Sequence, residues 1–399
     1  MLLLSTIFTA ALASAGLVSA SPLSARADAS APINTLVFFG DSYSDNGNDF
    51  RVLGIPRQPY FQGRFSNGLP WSDLLAQQLV NSTVGSSTTN PNSTTYYNYA
   101  YGGAVASKKN LPASIPNRDA PFPPDMSQQL ALFLANHSSA IPDPATTLYP
   151  IFIGGNDYVY TLAATIPSPQ TIASSVVEAI RNLTTSPLKA TRFLVLNLPD
   201  LGGGPTADKL RQRANDSTLP VAQLAKTITS AHNTILLTGL RALVAENTNL
   251  QINTLDLFGL YGNVTANPAT YNLTNATAQC INLTPQARAA NITNISLLRT
   301  ADDVTVCDKP DEYVFWDNLH PTRAMHRIIA AAARRALTEP VLTAAAAPSV
   351  GGGNGTNGTS AGNGNGTEAG AKNGAGAVVG GRVLGLVGAF VVAVMTAAI

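Results

Sequence analysis

Four short runs recur along the chain, the first wholly apolar and the others similar, and their spacing limits the folds open to it: Thr35–Phe39, Leu148–Ile153, Phe193–Leu198 and Ile252–Leu257. Runs of this kind read as strands buried on both faces rather than strands with one wet side. Helical spacing fills the intervals, over Trp71–Val80, Met126–Ala135, Ile172–Leu183, Val221–Val244 and Pro321–Leu337, with Pro321 suited to the first helical position. Strands alternating with helices imply a parallel sheet covered on both sides, an α/β sandwich of three layers. No Gly/Ser-rich linker interrupts residues 21–343, so one domain is expected there.

Both ends of the chain read differently. Residues 1–20 form an apolar run closing on Val18-Ser19-Ala20, the pattern of a signal peptide cut before Ser21, although the positive charge usual at the start is missing. Residues 344–373 are almost entirely Gly, Asn, Ala, Ser and Thr, a composition too poor in apolar surface to order itself, and are expected to form a stalk. Residues 374–399 end in a hydrophobic stretch whose layout matches a GPI-attachment signal; the alternative is a tail-anchoring transmembrane helix. Membrane contact is expected through that anchor alone.

Lys plus Arg number 24 against 23 Asp plus Glu, so no basic face for nucleic acid is implied. With charge at only 12 %, solubility is expected to fall to sugar on N-x-Ser/Thr sequons at Asn81, Asn92, Asn182, Asn215, Asn263, Asn272, Asn282, Asn291 and Asn294. The two cysteines, Cys280 and Cys307, are expected to pair in an oxidising secretory route, stabilising the fold by on the order of 3 kcal/mol. No His/Cys/Asp cluster has metal-ligand spacing, no cofactor is implied, and a monomer is expected.

In open sheets of this class ligands bind beyond the carboxyl ends of the strands, so the loops there matter most. Gly40-Asp41-Ser42-Tyr43 follows the first run, and offers either an exposed serine or a polar turn. Gly154-Gly155-Asn156-Asp157 follows the second, where the Asn156 amide could donate to a developing oxyanion or satisfy its own turn. Between them, Asn98-Tyr99-Ala100-Tyr101-Gly102-Gly103 is strand-like and meets two glycines, which form a turn or let a backbone N–H approach a ligand. Asp317-Asn318-Leu319-His320-Pro321 precedes the last helix; the carboxylate and imidazole can meet across a tight turn, or Asp317 or Asn318 can simply cap the helix. Of four histidines, only His320 sits among these loops.

These four segments, in this order, resemble the sequence blocks of the SGNH, or GDSL-type, hydrolases. Phe-Phe-Gly-Asp-Ser at 38–42 is similar to the nucleophile block, with Tyr43 where the family nickname has leucine, and Gly-Arg-Phe-Ser-Asn-Gly at 63–68 followed by Trp71 resembles a structural segment of the lipase and acylhydrolase branch. The resemblance implies a flavodoxin-like fold and a secreted serine esterase. Ser42 is then the nucleophile, His320 its base and Asp317 the orienter, with Ser42, Gly103 and Asn156 forming the oxyanion hole. It also implies short acyl esters, acetyl esters of saccharides above all, as substrate; a lipase or phospholipase acting on longer chains is the alternative, and a surface adhesion or carbohydrate-binding protein the reading outside enzymes. Tyr60, Phe61, Phe65 and Trp71 could stack on sugar rings or belong to the core.

Overall fold

The computed structural model describes residues 32–82, 96–113, 115, 123–137, 142–161, 168–214, 220–289 and 303–344. The expected leader at 1–20, the stalk beyond Ala344, the hydrophobic tail, and the sequons at Asn92, Asn215, Asn291 and Asn294 lie outside the described residues. No helix among the described residues is long and apolar enough to cross a membrane.

All four apolar runs are strands. β1 (Thr35–Gly40) is followed by helices α1 (Asn48–Leu53) and α2 (Trp71–Val80), then β2 (Tyr96–Asn98), α3 (Met126–Asn136) and β3 (Thr147–Phe152). Next come α4 (Gly155–Thr161), α5 (Pro169–Thr185), β4 (Arg192–Leu196), α6 (Gly204–Ala214), α7 (Val221–Glu246), β5 (Gln251–Leu255) and α8 (Leu257–Ala266). A smaller ribbon of β6 (Asn275–Gln279), β7 (Ile281–Leu283), α9 (Pro285–Ala289), β8 (Val304–Val306) and β9 (Tyr313–Phe315) leads to the last helix, α10 (Arg323–Ala336).

The sheet runs β2-β1-β3-β4-β5, every pair parallel, with Leu36 opposite Tyr96 on one side of β1 and Gly40 opposite Phe152 on the other. Every residue of β1, β3 and β4 is buried, which is why these strands, Arg192 at the start of β4 apart, carry mostly apolar sequence instead of alternation. Helices α2 and α10 pack on each other, α2 against β1 and α10 against β5, while α3 packs against β1 and α7 against β5 with α5 between them, in contact with both helices. Strand order reverses between β1 and β3, so the loops leaving those strands part and open a crevice at their carboxyl ends. This is the expected three-layer, flavodoxin-like arrangement.

Two boundaries differ from the sequence reading. Helix α10 begins at Arg323 with Thr322 as cap, its hydroxyl accepting from the Met325 N–H at 3.3 Å. Pro321 lies outside it, in an antiparallel bridge with Phe315 that closes the turn carrying Asp317 and His320. The segment after β3, read as a loop, is already helical at Gly155, so Asn156 stands in a first helical turn.

Cys280 and Cys307 form a disulfide with Cα atoms 5.0 Å apart. Around it, Tyr60, Ile281 and Trp316 make a buried cluster separate from the main core. The Cys280 and Ile281 N–H groups donate to the carbonyls of Phe315 (3.0 Å) and Trp316 (2.8 Å), so the bridged ribbon holds the chain immediately ahead of Asp317.

Candidate active site

The turn after β1 is shaped by buried carboxylates. Asp45 accepts the N–H groups of Gly47 (2.7 Å), Asn48 (2.6 Å), Asp49 (3.2 Å) and, across from the β2 loop, Gly102 (3.0 Å). From α3, the Gln129 amide meets both backbone groups of Gly40, accepting at 2.9 Å and donating at 2.8 Å, and so closes the end of β1. Ser42 is thereby fixed at the carboxyl edge of the sheet, 8 % exposed.

The Asp317–His320 turn arrives at the same place from the far end of the chain. The Ser42 hydroxyl and His320 Nε2 are 2.8 Å apart, and His320 Nδ1 is 2.8 Å and 2.9 Å from the two Asp317 oxygens. All three residues are nearly buried. Asp317 Oδ1 also accepts the N–H groups of Leu319 and His320, each at 2.7 Å, and Oδ2 accepts the Tyr60 hydroxyl at 2.6 Å. Burial pushes the Asp317 carboxyl up, but His320, Tyr60 and the Leu319 N–H outweigh it and hold the group below its usual value. Burial beside Asp317 drives the Tyr60 phenol well up, so Tyr60 stays the donor. Rings flank the imidazole on two sides, Phe65 at 5.1 Å and Tyr43 at 6.2 Å between centroids, and the Tyr43 hydroxyl donates to the Leu319 carbonyl at 3.0 Å.

Asn156 is half-buried and shares a cavity with Ser42 and His320. One hydrogen of its amide goes to the Ala104 carbonyl at 2.9 Å; an amide nitrogen carries two, so the second is available to a ligand. Gly103 sits in the turn just before Ala104 at φ +74°, where a Cβ would meet the Tyr160 hydroxyl at 2.6 Å, so glycine is required. The β2 loop is tied to the β1 loop by the Tyr101 N–H on the Gly40 carbonyl at 3.2 Å. Ser42, Asp317, His320 and Asn156 are thus brought together, and Gly103 is held next to Asn156's partner.

The cavity, about 410 Å³, runs from Ser42 and His320 past Phe152 and Val159 to the loop after β4 and to α8. Asp41, on its wall, has its carboxyl pushed up to about 7 by burial, a rise the Tyr43 N–H partly opposes. Asp157, just after Asn156, is pushed up to about 7 by burial as well, against the Ala106 N–H at 2.8 Å. Among the described residues no three His, Cys, Asp or Glu side chains group as a metal site requires.

The segment 63–71 proves to be a splint for the histidine turn. Ser66 donates to the Pro321 carbonyl at 2.9 Å, Asn67 accepts the Arg323 N–H at 2.7 Å, and the Trp71 N–H donates to His326 Nδ1 at 3.1 Å. Arg64 pairs with Asp73 at 3.2 Å, both buried. Tyr60, Phe65 and Trp71 are buried in this framework, not displayed for stacking on sugar. Sequence reasoning missed Tyr60 as a partner of Asp317; the aromatic run 60–65 was the only local trace of it.

The family model described as GDSL-like lipase/acylhydrolase matches residues 36–333. The chain is 26 % identical to a GDSL esterase/lipase of Arabidopsis thaliana over 75 % of its own length and 85 % of the relative's. It is 23 % identical to a phosphatidylcholine-sterol acyltransferase of Aeromonas hydrophila, over 79 % and 91 % of the two chains. An acetyl xylan esterase structure from Geobacillus stearothermophilus overlays with a TM-score of 0.32 at 16 % identity, covering 78 % of this chain and 98 % of that one.

Proposed function

The chain belongs to the GDSL-like lipase/acylhydrolase family and is a carboxylic ester hydrolase, and from that premise we propose that Ser42, His320 and Asp317 are the residues that perform the hydrolysis. One observation carries the reading: the Ser42 hydroxyl lies 2.8 Å from His320 Nε2 while His320 Nδ1 lies 2.8 Å from Asp317. His320 takes the hydroxyl proton as Ser42 Oγ attacks the ester carbonyl; Asp317 keeps the imidazole in the tautomer that can accept it and stabilises the imidazolium. The tetrahedral oxyanion is met by N–H groups of Ser42, Gly103 and the Asn156 amide. His320 then returns the proton to the departing alkoxide; a water, deprotonated by the same imidazole, attacks the acyl carbon, and as the bond to Ser42 Oγ breaks the imidazolium gives its proton back to Oγ, releasing the acid.

The deciding experiment treats the purified protein with a fluorophosphonate and locates the adduct by mass spectrometry. Labelling of Ser42, lost in His320→Ala, is the expected outcome; an unlabelled Ser42 in a protein that hydrolyses p-nitrophenyl acetate would assign the nucleophile elsewhere.

The substrate is a carboxylic ester whose carbonyl reaches Ser42 through this cavity. Secretion is supported by the disulfide and by the exposure of Asn81, Asn182, Asn263 and Asn272, with Asn282 half-buried. A GPI anchor in place of residues 374–399 is testable by release from cells with phosphatidylinositol-specific phospholipase C, which leaves a tail helix in the membrane.

A further inference from the structure

The cavity beside Ser42 is far larger than an acetyl group needs. With a methylene taking about the space of one water, roughly 30 Å³, its volume of about 410 Å³ holds a chain of many carbons. Val159, Leu198, Leu201, Ala276 and Phe315, all buried and all apolar side chains, line it together with the buried Tyr261. Thr206 and Thr265 also line it but donate their hydroxyls to the carbonyls of Asn318 (3.0 Å) and Tyr261 (2.8 Å); the other polar lining includes the reacting groups, Thr277 and the Asp200–Lys226 pair (3.7 Å). A saccharide would leave its hydroxyls facing those apolar side chains without partners; an apolar chain would not.

One residue on the rim lacks any packing reason for its identity. Helix α8 carries two glycines. At Gly259 a Cβ would meet the Asp256 carboxylate that caps the helix, at 2.4 Å. At Gly262 a Cβ would meet nothing within 4 Å, and no left-handed backbone calls for glycine there. Glycine inside a helix is destabilising relative to alanine, so its presence here points to space kept for something other than protein.

We propose that this recess receives the acyl chain of the ester, that a saturated chain of about eight carbons is preferred over acetate, and that Gly262 is the specificity-determining residue that keeps its entrance open. The proposal rests on the ester-hydrolase reading above and names the substrate of that same site. Each buried methylene should raise kcat/KM by about threefold to fivefold until the recess is full.

The test measures kcat/KM of the full-length protein on p-nitrophenyl acetate, butyrate, octanoate and palmitate. Wild type should peak near octanoate. Gly262→Trp should lose tenfold or more on octanoate and stay within about twofold on acetate, while Gly262→Ala should keep both activities and raise Tm, showing that the helix accepts a side chain. Acetate as the best substrate, or equal losses on acetate and octanoate in a folded Gly262→Trp, would overturn the proposal. So would chain-length selectivity seen only among acetate esters of long alcohols, which would assign the recess to the alcohol. A wild type that hydrolyses no ester would bring down the parent reading, and this one with it.

Discussion

The Tyr60 hydroxyl donates to Asp317 Oδ2 at 2.6 Å, the one side-chain donor besides His320 on that carboxylate among the described residues. Tyr60 is held for this by its edge-to-face contact with Trp316, centroids 6.1 Å apart. Tyr60→Phe keeps the ring and removes the donor, so kcat should fall by about threefold to thirtyfold with KM little changed. Losing a donor lets the Asp317 carboxyl titrate at higher pH. Its depressed value supports activity above that pH and fails below it, so the lower limb of the kcat/KM profile should move to higher pH. An unmoved limb would reduce Tyr60 to packing.

Ser42→Ala and His320→Ala should each cut turnover by about 10⁵-fold or more, with little added loss in the double variant, because the two act as a unit. Circular dichroism and Tm should match wild type; a folded single variant with ordinary rates would remove that residue from the mechanism.

Asn156→Ala should lower kcat by about 10²–10³-fold, the usual effect of deleting one oxyanion donor. The Ala104 carbonyl that accepts from Asn156 also loses its partner, so a modest drop in Tm should accompany it. A change confined to KM would argue that Asn156 only binds the ground state.

Asp157 makes stability depend on pH. Its folded value near 7 lies above that of an unfolded aspartate, so the native state binds the proton more tightly. Stability is then fully present below about pH 4 for this group and is lost as pH rises toward 7, by on the order of 4 kcal/mol. Asp157→Asn should therefore flatten the decline in denaturant stability between pH 5 and pH 8. An unchanged slope would show that the carboxyl is ionised throughout.

Replacing both Cys280 and Cys307 by alanine should lower stability by about 2–4 kcal/mol, as expected for opening a loop of 27 residues. Because the same ribbon binds the Phe315 and Trp316 carbonyls, kcat should drop before the protein unfolds on warming. Full retention of kcat up to the unfolding transition would uncouple the ribbon from Asp317.

Much of this molecule was determined by short-range sequence. Largely apolar runs specify strands buried on both faces, and helical spacing between them dictates parallel pairing, so β1, β3 and β4, and with less apolar sequence β5, were legible from local periodicity along with the α/β layering. The Ser42, Asn156 and Asp317–His320 segments were legible for a related reason: each is a polar cluster set directly against an apolar strand or the last helix, where turn chemistry concentrates. Tertiary structure alone decided the rest. Tyr60 meets Asp317 across 257 residues and Ser66 meets Pro321 across 255, and no local pattern encodes contacts at such range. The start of α10 moved past Pro321 because that proline pairs with Phe315 instead of entering the helix. The open space at Gly262 is a property of what the other loops leave unfilled, a volume that exists only once the chain has closed around it.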